Sequence, residues 1–316
     1  MSKLSYTLQE LIRVNHAIGG GKILDLIWCG ICYGASPKNY LNFGFKDLTS
    51  HERKTFLTHR WNQKIQHKFN DRNAIYKLQN KFEFAKHLGE SYGRKFARSD
   101  EMSLEEFKEI AVRGKVVCKP LCGGQGQGIT VFSNIGNDFE KTLQEIKALP
   151  LSLVEEWLPQ HEKINQIYDK AVNPVRIQTL YVNDNVQFKC ATLTLGNGTL
   201  IANASAQKAI FALLDVETGV VISDGYDYNG QAYQKHPVSQ QTIRGIEIPS
   251  WKLLLRCVES AAKRFPEVRH IGWDVAITPN GPVIIEGNDD PGYTAYQLPQ
   301  LTGKRTGNLD LYQEYL

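Results

Sequence analysis

Two carboxylates and an amide near the end of the chain have types and a spacing that suit a metal site. They belong to the last predicted β-hairpin, residues 270–288, whose two runs are joined by Pro-Asn-Gly. With a three-residue turn centred on Asn280, Asp274 lies directly opposite Glu286, and Asn288 shares their face because side chains alternate along a strand. Opposed carboxylates repel one another unless a cation lies between them, and oxygen ligands suit Mg²⁺ held together with substrate phosphates. We therefore predict a magnesium site here, with a solvated polar face as the alternative.

A lysine followed by a glycine-rich segment could bind phosphate. Lys119 ends a predicted strand, and residues 123–128 contain four glycines before the next predicted strand begins. Glycines let backbone N–H groups approach phosphate oxygens closely, and the lysine adds positive charge. A simple glycine-rich hairpin turn has equal weight. Because the segment leads into a strand and not into a helix, it matches neither the P-loop nor the dinucleotide-binding fingerprint.

The elements that must position these groups mix helices with short strands. We predict helices over residues 81–88, 103–111, 138–149 and 251–265, with Ser103 and Glu106 forming a capping box at the second of them. We predict strands over residues 116–119, 129–132, 151–157, 176–182, 186–195, 271–278 and 282–288. In the last hairpin the apolar side chains are expected on the face opposite the carboxylates: Trp273, Val275, Ile277 and Ile285. This order indicates an α+β fold and not a doubly wound parallel sheet.

Length and composition limit the class of protein. The chain has 316 residues, 42% of them hydrophobic and 22% charged, with a net charge of +4. This composition excludes disorder as the main state, and the mild charge does not indicate a nucleic-acid partner. The six scattered cysteines do not suggest a disulfide framework. The longest apolar run, residues 23–33, is too short to span a bilayer and no signal-peptide pattern begins the chain, so we expect a cytoplasmic protein without a transmembrane segment.

Together, the carboxylate hairpin and the glycine-rich segment resemble the ATP-grasp superfamily over roughly residues 71–300. The sequence looks most similar to its sugar-transfer-associated branch, related to the alpha-L-glutamate ligases. The motifs that carry this resemblance are Tyr33-Gly-Ala-Ser-Pro-Lys-Asn-Tyr-Leu-Asn-Phe-Gly-Phe, Asn173-Pro-Val-Arg176, His236-Pro237, Ile248-Pro-Ser-Trp251, Gly272-Trp-Asp-Val-Ala-Ile and Ile285-Glu-Gly-Asn288. It implies a mostly helical region 1–70, a first α+β lobe 71–155 with a glycine-rich flap, and a second lobe 156–316 with the metal site.

The resemblance also implies roles for single residues. ATP would be held by two lysines, by the flap, by the segment that links the lobes and contacts adenine, and by polar residues near the ribose and the γ-phosphate: Lys81, Lys119, Gly123, Gly124, Gln125, Gly126, Glu155, Glu156, Trp157, Leu158, Glu162 and Asn203. Arg176 and Lys208 would act on the transferred phosphate, and Asp274, Glu286 and Asn288 would bind the metal. Solvated surface charges are the alternative for Lys81 and Arg176. Related peptide-type ligases often carry an arginine where this chain has Gly272.

The implied activity is that of an ATP- and Mg²⁺-dependent carboxylate–amine ligase that works through an acyl phosphate. Its partners would be an amine and a small-molecule or glycan carboxylate, such as a sugar acid used in polysaccharide biosynthesis. A phosphotransferase acting on a hydroxyl and a nucleotide-binding protein without turnover are the alternatives. The basic N-terminal third could make a peripheral contact with glycan assembly machinery, with a solvated helical cap as the alternative. His236 is interpreted as either a substrate contact or an ordinary surface histidine.

Overall fold

A computed structural model describes residues 3–124, 126–136, 138–198, 209–227 and 229–316. The chain forms two compact units, one from the residues before Asn70 together with Gly292–Leu316, and a larger one from Asn70–Pro291. The three-part division predicted from the sequence remains a prediction, to which the structure adds that Gly292–Leu316 packs with the N-terminal region.

Helices occur in both units. They are α1 (Lys3–Ala17), α2 (Ile23–Tyr33), α3 (Pro37–Asn42), α4 (Ser50–Arg53), α5 (His59–Phe69), α6 (Tyr76–Gln79), α7 (Lys81–Leu88), α8 (Leu104–Ile110), α9 (Phe139–Lys147), α10 (Glu162–Asn165), α11 (Trp251–Ala262) and α12 (Pro299–Thr302). In the part of the chain that the structure describes, every helix is too short or too polar to cross a bilayer.

Strands occur only in the larger unit, as far as the described residues go, and they form two sheets. They are β1 (Phe96–Arg98), β2 (Lys115–Pro120), β3 (Thr130–Ser133), β4 (Ser152–Glu156), β5 (Val175–Val182), β6 (Asn185–Leu195), β7 (Ile210–Leu214), β8 (Gly225–Tyr226), β9 (Ala232–Tyr233), β10 (His270–Thr278) and β11 (Gly281–Asn288). The small sheet has the order β1-β4-β2-β3 and the large one β11-β10-β5-β6-β7-β8-β9, and all these pairs are antiparallel. The predicted α+β class is confirmed, and each helix and strand predicted above is present with ends shifted by at most three residues.

Three clusters of buried apolar side chains stabilise the two sheets and the N-terminal unit. The largest joins the large sheet to α11 and α7 and includes Trp273, whose indole N–H donates to Thr179 Oγ1 at 2.9 Å. A second cluster joins the small sheet to α8 and α9. The third fills the N-terminal unit and is dominated by aromatic rings: Tyr40, Phe43, Phe45 and Phe56. Since a buried aromatic side chain removes a large apolar area from water, the N-terminal unit has a core of its own.

The capping box at the start of α8 gives a direct test of one local prediction. The Ser103 hydroxyl accepts from the Glu106 N–H at 3.2 Å, and the Glu106 carboxylate accepts from the Ser103 N–H at 2.8 Å. Ser103→Ala removes one of these bonds, so we expect the free energy of unfolding to fall by about 1 kcal/mol in urea denaturation. Ser133→Ala, at an exposed strand end, is the control and should change it by less than about 0.5 kcal/mol. Equal effects of the two substitutions would contradict the prediction.

Candidate functional site

The β10–β11 hairpin places its carboxylates opposite each other, as the sequence predicts, but its turn differs from the predicted one. Asp274 pairs with Glu286 across the two strands. The turn, however, has two residues and not the predicted three, and the missing residue appears as a β-bulge after Asp274. Ile285 is the extra residue of this bulge, and Ile284 takes its predicted place in the core opposite Val275. The register prediction is therefore confirmed at the carboxylates, while the predicted turn length and the predicted place of Ile285 on the apolar face are wrong.

The two opposed carboxylates lie next to an arginine of the neighbouring strand. Arg176 on β5 pairs with Asp274 in register, and its guanidinium binds both oxygens of that carboxylate, with 2.7 Å between Nη2 and Oδ2. Burial raises the pKa of Glu286, and the Asp274 carboxylate adds to this shift. Asn288 pairs with Gly272 and donates its side-chain N–H to that carbonyl at 3.3 Å. The face thus carries the Asp274 carboxylate, which disfavours the ionisation of Glu286, and one cation, Arg176, which relieves part of the repulsion.

The donor set can be compared with the needs of a divalent cation. Within the described residues, no three His, Cys, Asp or Glu side chains are grouped so that they could hold a metal ion. Asp274 and Glu286 supply two carboxylates on one face, and the amide oxygen of Asn288 is the third oxygen donor beside them. A set of few, hard oxygen ligands fits Mg²⁺ when substrate phosphates complete its coordination.

A buried cluster of charged side chains, centred on Glu155, lies at the small sheet. The Lys119 ammonium forms an ion pair with the Glu155 carboxylate, which also accepts from the Tyr92 hydroxyl at 2.5 Å and from Arg94 Nη2 at 2.8 Å. Burial by itself would raise the pKa of Glu155, but Arg94 and Lys119 outweigh it and hold the pKa at about 2. Glu155 is therefore an anion at neutral pH, fixed between two cations.

Arg94 connects this cluster to the bulge of the hairpin. Its guanidinium donates to the Ile284 carbonyl at 2.6 Å and to the Ile285 carbonyl at 3.3 Å. These two residues precede Glu286, so Arg94 holds the irregular backbone that sets the position of that carboxylate. Arg94 is not recognisable as a site residue from the sequence, because its partner Glu155 is 61 residues away and no local pattern marks the pair.

Lys81 lies at the first turn of α7, close to the same charges. The side chain of Asn80 caps this helix, and the Lys81 ammonium donates to the Gly123 carbonyl at 2.6 Å. Burial lowers the pKa of Lys81, and the nearby Glu286 carboxylate opposes this shift. Lys81 is half-buried beside Lys119 and Glu286, and not a freely solvated helix charge.

The glycine-rich segment forms the loop between β2 and β3. Gly123 has φ of 104° and Gly126 has φ of 70°, which are backbone conformations that other residues adopt with strain. A β-carbon at Gly123 or Gly124 would have no atom of another described residue within 4 Å, its chain neighbours aside. Part of this loop is thus open on the side where a ligand could approach. Gln125, which was assigned to the same loop, lies outside the described residues.

The segment predicted to link the lobes begins as the central strand β4. Glu155 has strand partners on both sides, whereas Glu156 pairs with Val116 of β2 and donates its N–H to the Lys95 carbonyl at 3.0 Å. Trp157 and Leu158 follow the last ladder pair. The backbone groups of Trp157 and Leu158 are therefore outside the strand ladder. The Glu156 carboxylate lies 3.4 Å from Arg113 Nε, and Glu162 is exposed at the start of α10.

The structure thus brings together eight of the predicted site residues: Lys81, Lys119, Gly123, Glu155, Arg176, Asp274, Glu286 and Asn288. Asn203 and Lys208 lie outside the described residues, and their roles stay predictions. His236 is completely buried, with its Nε2 2.8 Å from the Gly196 carbonyl, and burial lowers its pKa. Neither interpretation of His236, substrate contact or surface histidine, agrees with that position.

Close packing explains why Gly272 carries no side chain. A β-carbon there would lie 2.6 Å from Pro291 Cβ. We expect Gly272→Ala to lower the free energy of unfolding by about 1–3 kcal/mol in chemical denaturation, because the overpacked strand must shift. Gly136→Ala is the control, since the nearest atom there is 4.0 Å away. A Gly272→Ala protein as stable as the control would contradict this packing argument.

Comparisons with known proteins agree with the resemblance seen in the sequence. A model of the family described as sugar-transfer associated ATP-grasp matches residues 60–308. No curated protein matches the chain. Among solved structures, the chain is similar to the ADP complex of the N5-carboxyaminoimidazole ribonucleotide synthetase purK, with 14% identity and a TM-score of 0.41 over 69% of this chain and 46% of that chain. It is also similar to an L-amino acid ligase from Bacillus licheniformis, with 11% identity and a TM-score of 0.44 over 72% of this chain and 45% of that one. It is similar as well to a D-alanine–D-alanine ligase from Bacillus anthracis, with 12% identity and a TM-score of 0.43 over 76% of this chain and 68% of that chain. The chain thus spans less than half the length of the first two.

Proposed function

This chain belongs to the sugar-transfer associated ATP-grasp family, and from that premise we propose that it is an ATP-dependent, ADP-forming carboxylate–amine ligase. One observation carries the proposal: the opposed carboxylates Asp274 and Glu286 lie beside three cations, Lys81, Lys119 and Arg176. In a nucleoside triphosphate bound with a divalent cation, the phosphates carry the negative charge that the three cations would neutralise. The metal carries the positive charge that the two carboxylates would neutralise. ATP use also leads us to propose a cytoplasmic location.

Each group of residues has a role in nucleotide binding under this proposal. The backbone groups of Trp157 and Leu158 receive the adenine, with Glu162 as the partner for the ribose hydroxyls. Lys119 and Lys81 contact the phosphates, and the loop around Gly123 covers them with its backbone N–H groups. Asp274, Glu286 and Asn288 would hold Mg²⁺, which supplies neutralisation of charge on the phosphate oxygens when bound.

The proposed reaction has two steps. An oxygen of the substrate carboxylate attacks the γ-phosphorus of ATP, the bond to the β-phosphate oxygen breaks, and ADP leaves. An amine then attacks the acyl carbon of the resulting acyl phosphate, and inorganic phosphate leaves with the bonding electrons while the amine loses a proton. Arg176 stabilises the transferring phosphoryl group, since its guanidinium lies at the carboxylate face beside Asp274 and Glu286.

The family description supports a substrate related to sugars. We propose a sugar acid or a polysaccharide precursor as the carboxylate and an amino compound as its partner. A phosphotransferase acting on a sugar hydroxyl is the second candidate, because Pro291 fills the space at Gly272 where an arginine could otherwise receive a substrate carboxylate.

An ADP-release assay separates these functions. The purified chain is incubated with ATP, Mg²⁺ and a panel of sugar acids and amines, and ADP is measured together with product masses. A ligase releases ADP in quantity only when both co-substrates are present, and its product has the mass of the two joined with loss of water. ADP release with a single sugar alcohol and a phosphorylated product would identify the phosphotransferase. Nucleotide binding without any turnover across the panel would favour a nucleotide-binding protein.

A further inference from the structure

Helix α2 has apolar side chains on both of its faces. Its inner face packs Leu26 and Cys29 into the aromatic core of the N-terminal unit, where they are 2% and 0% exposed. Besides Ile23 at its first position (36% exposed), the helix has four exposed large apolar side chains on its outer face, which we call the α2 stripe: Leu24 (80%), Ile27 (42%), Trp28 (57%) and Ile31 (63%). Their spacing of three, one and three residues places them on one side of the helix.

Such a stripe differs from the scattered apolar residues of an ordinary protein surface. A helix on the outside of a folded unit normally turns polar side chains to water. A contiguous exposed apolar patch marks a site that binds another protein, a ligand or a membrane. The 11 residues of α2 extend about 16 Å, which is too short to cross a bilayer, so this helix can only lie along an interface.

The charges around α2 show which kind of interface it suits. Its one acidic residue, Asp25, turns away from the stripe, where it accepts from Arg53 at 2.8 and 2.9 Å and from the Tyr40 hydroxyl at 2.6 Å. Lys22 precedes the helix and is exposed, and Arg60 donates to the carbonyls of Gly30 and Ile31 at the other end, at 2.9 and 3.0 Å. A cation therefore stands at each end of the apolar stripe.

The same sign of charge extends over the whole N-terminal region. The residues before Asn70 contain 10 lysines and arginines against 4 aspartates and glutamates, whereas the full chain has 37 against 33. The remaining residues therefore carry a slight negative excess, and all of the net positive charge lies on the side of the sequence that contains α2. A second copy would bring this positive region against itself, while an anionic surface would be attracted.

We propose that the α2 stripe docks the protein on an anionic lipid bilayer. The stripe enters the boundary between headgroups and acyl chains, with Trp28 at the level that indole rings prefer, and Lys22 and Arg60 meet lipid phosphates. Attraction of the basic region to the charged surface adds to the burial of the stripe. This docking is independent of the proposed ligase activity, because it uses none of the residues assigned to the nucleotide.

Vesicle flotation with the full chain tests the proposal. Vesicles of phosphatidylcholine alone are compared with vesicles in which about 30% of the lipid is phosphatidylglycerol, at low salt. We expect binding to the anionic vesicles only, and loss of most of it at about 0.5 M NaCl because salt screens the basic region. The triple variant Leu24→Ser, Trp28→Ser, Ile31→Ser should bind at least about tenfold more weakly, since the apolar area it loses contributes more than about 1.4 kcal/mol.

A matched control separates the stripe from general surface hydrophobicity. Val112 and Leu253 are 71% and 49% exposed in the larger unit, and the double variant Val112→Ser, Leu253→Ser should bind like wild type. As a milder probe, Trp28→Phe should keep binding but lose most of the blue shift of tryptophan fluorescence that the vesicles cause in wild type.

Three results would overturn the proposal. The first is no binding to either vesicle by the wild-type chain. The second is equal binding by the triple variant and wild type. The third is a wild-type dimer in sedimentation that the triple variant abolishes, which would assign the stripe to a second copy. Circular dichroism and thermal melts establish that each variant is folded, so that weak binding reports on the stripe.

Discussion

Glu286→Gln is expected to abolish ATP turnover while leaving the fold intact. The substitution keeps the size of a side chain that lies opposite Asp274 and removes its charge. A magnesium site built from two carboxylates and an amide would lose half of its negative charge, and the γ-phosphate would lose its positioning. We expect ADP release to fall by at least about a hundredfold, the loss typical of removing one electrostatic contact to a transition state. The measurement is ADP release with a productive substrate pair over a range of Mg²⁺ concentrations.

The matched control for this experiment is Glu259→Gln. Glu259 is a half-exposed residue of α11 whose carboxylate forms an ion pair with Lys263 at 2.6 Å. Its turnover should equal that of wild type. Activity of Glu286→Gln near the wild-type level would show that the metal assignment is wrong.

The stability of Glu286→Gln gives a readout that does not depend on knowing the substrate. Burial and Asp274 raise the pKa of Glu286 above its unfolded value of 4.5. The folded state therefore holds this proton more tightly than the unfolded state, and the chain loses stability as the pH rises from about 4.5 through the folded pKa. In metal-free buffer we expect the variant to melt at a higher temperature than wild type at pH 8, with the difference shrinking toward pH 4. A lower melting temperature at pH 8 would contradict this assignment of charge.

The predictable part of the site rests on patterns that extend over a few residues. The alternation of polar and apolar side chains was enough to place Asp274 opposite Glu286, and Ser103 with Glu106 was enough to mark the start of α8. The turn length could not be predicted, because two arrangements place Glu286 opposite Asp274. One is a three-residue turn, and the other is a two-residue turn followed by a one-residue bulge. The choice between them depends on distant contacts to the bulge, which no local pattern contains.

What the sequence did not reveal is pairing between distant positions. Arg94 lies between a glycine and a lysine and has the local context of a surface charge, yet its side chain is fully buried against Glu155. His236 likewise lies beside a proline in a polar segment but packs against the loop at Gly196. Burying a charge or an imidazole is favourable only when partners are already in place, and those partners come from other elements.

Glu155→Gln is expected to produce the largest loss of stability of any substitution considered for this chain. The variant keeps the shape of the side chain but leaves Arg94, whose side chain is 0% exposed, without its carboxylate. Removing one partner of a buried ion pair costs about 3–5 kcal/mol, because the other charge stays desolvated and uncompensated. The measurement is the free energy of unfolding in urea at pH 7. The neighbouring Glu156→Gln is the control and should cost less than about 1 kcal/mol, since Glu156 meets the half-exposed Arg113 at 3.4 Å.

The pH dependence of this loss identifies the cause. The pKa of Glu155 is about 2 in the folded chain, below its unfolded value of 4.5, so its contribution is complete above pH 4.5 and disappears as the pH falls toward 2. The gap in stability between wild type and Glu155→Gln should therefore be widest at neutral pH and should narrow in acid. A gap that stays constant from pH 7 to pH 3 would point to altered packing and not to the lost charge.

The same substitution should also affect turnover. Because Arg94 also holds the carbonyls of Ile284 and Ile285, loss of the Glu155 charge should disturb the bulge and with it the position of Glu286. Glu155→Gln should then lower turnover under conditions where the chain is still fully folded, and wild-type turnover there would limit this ion cluster to a role in stability.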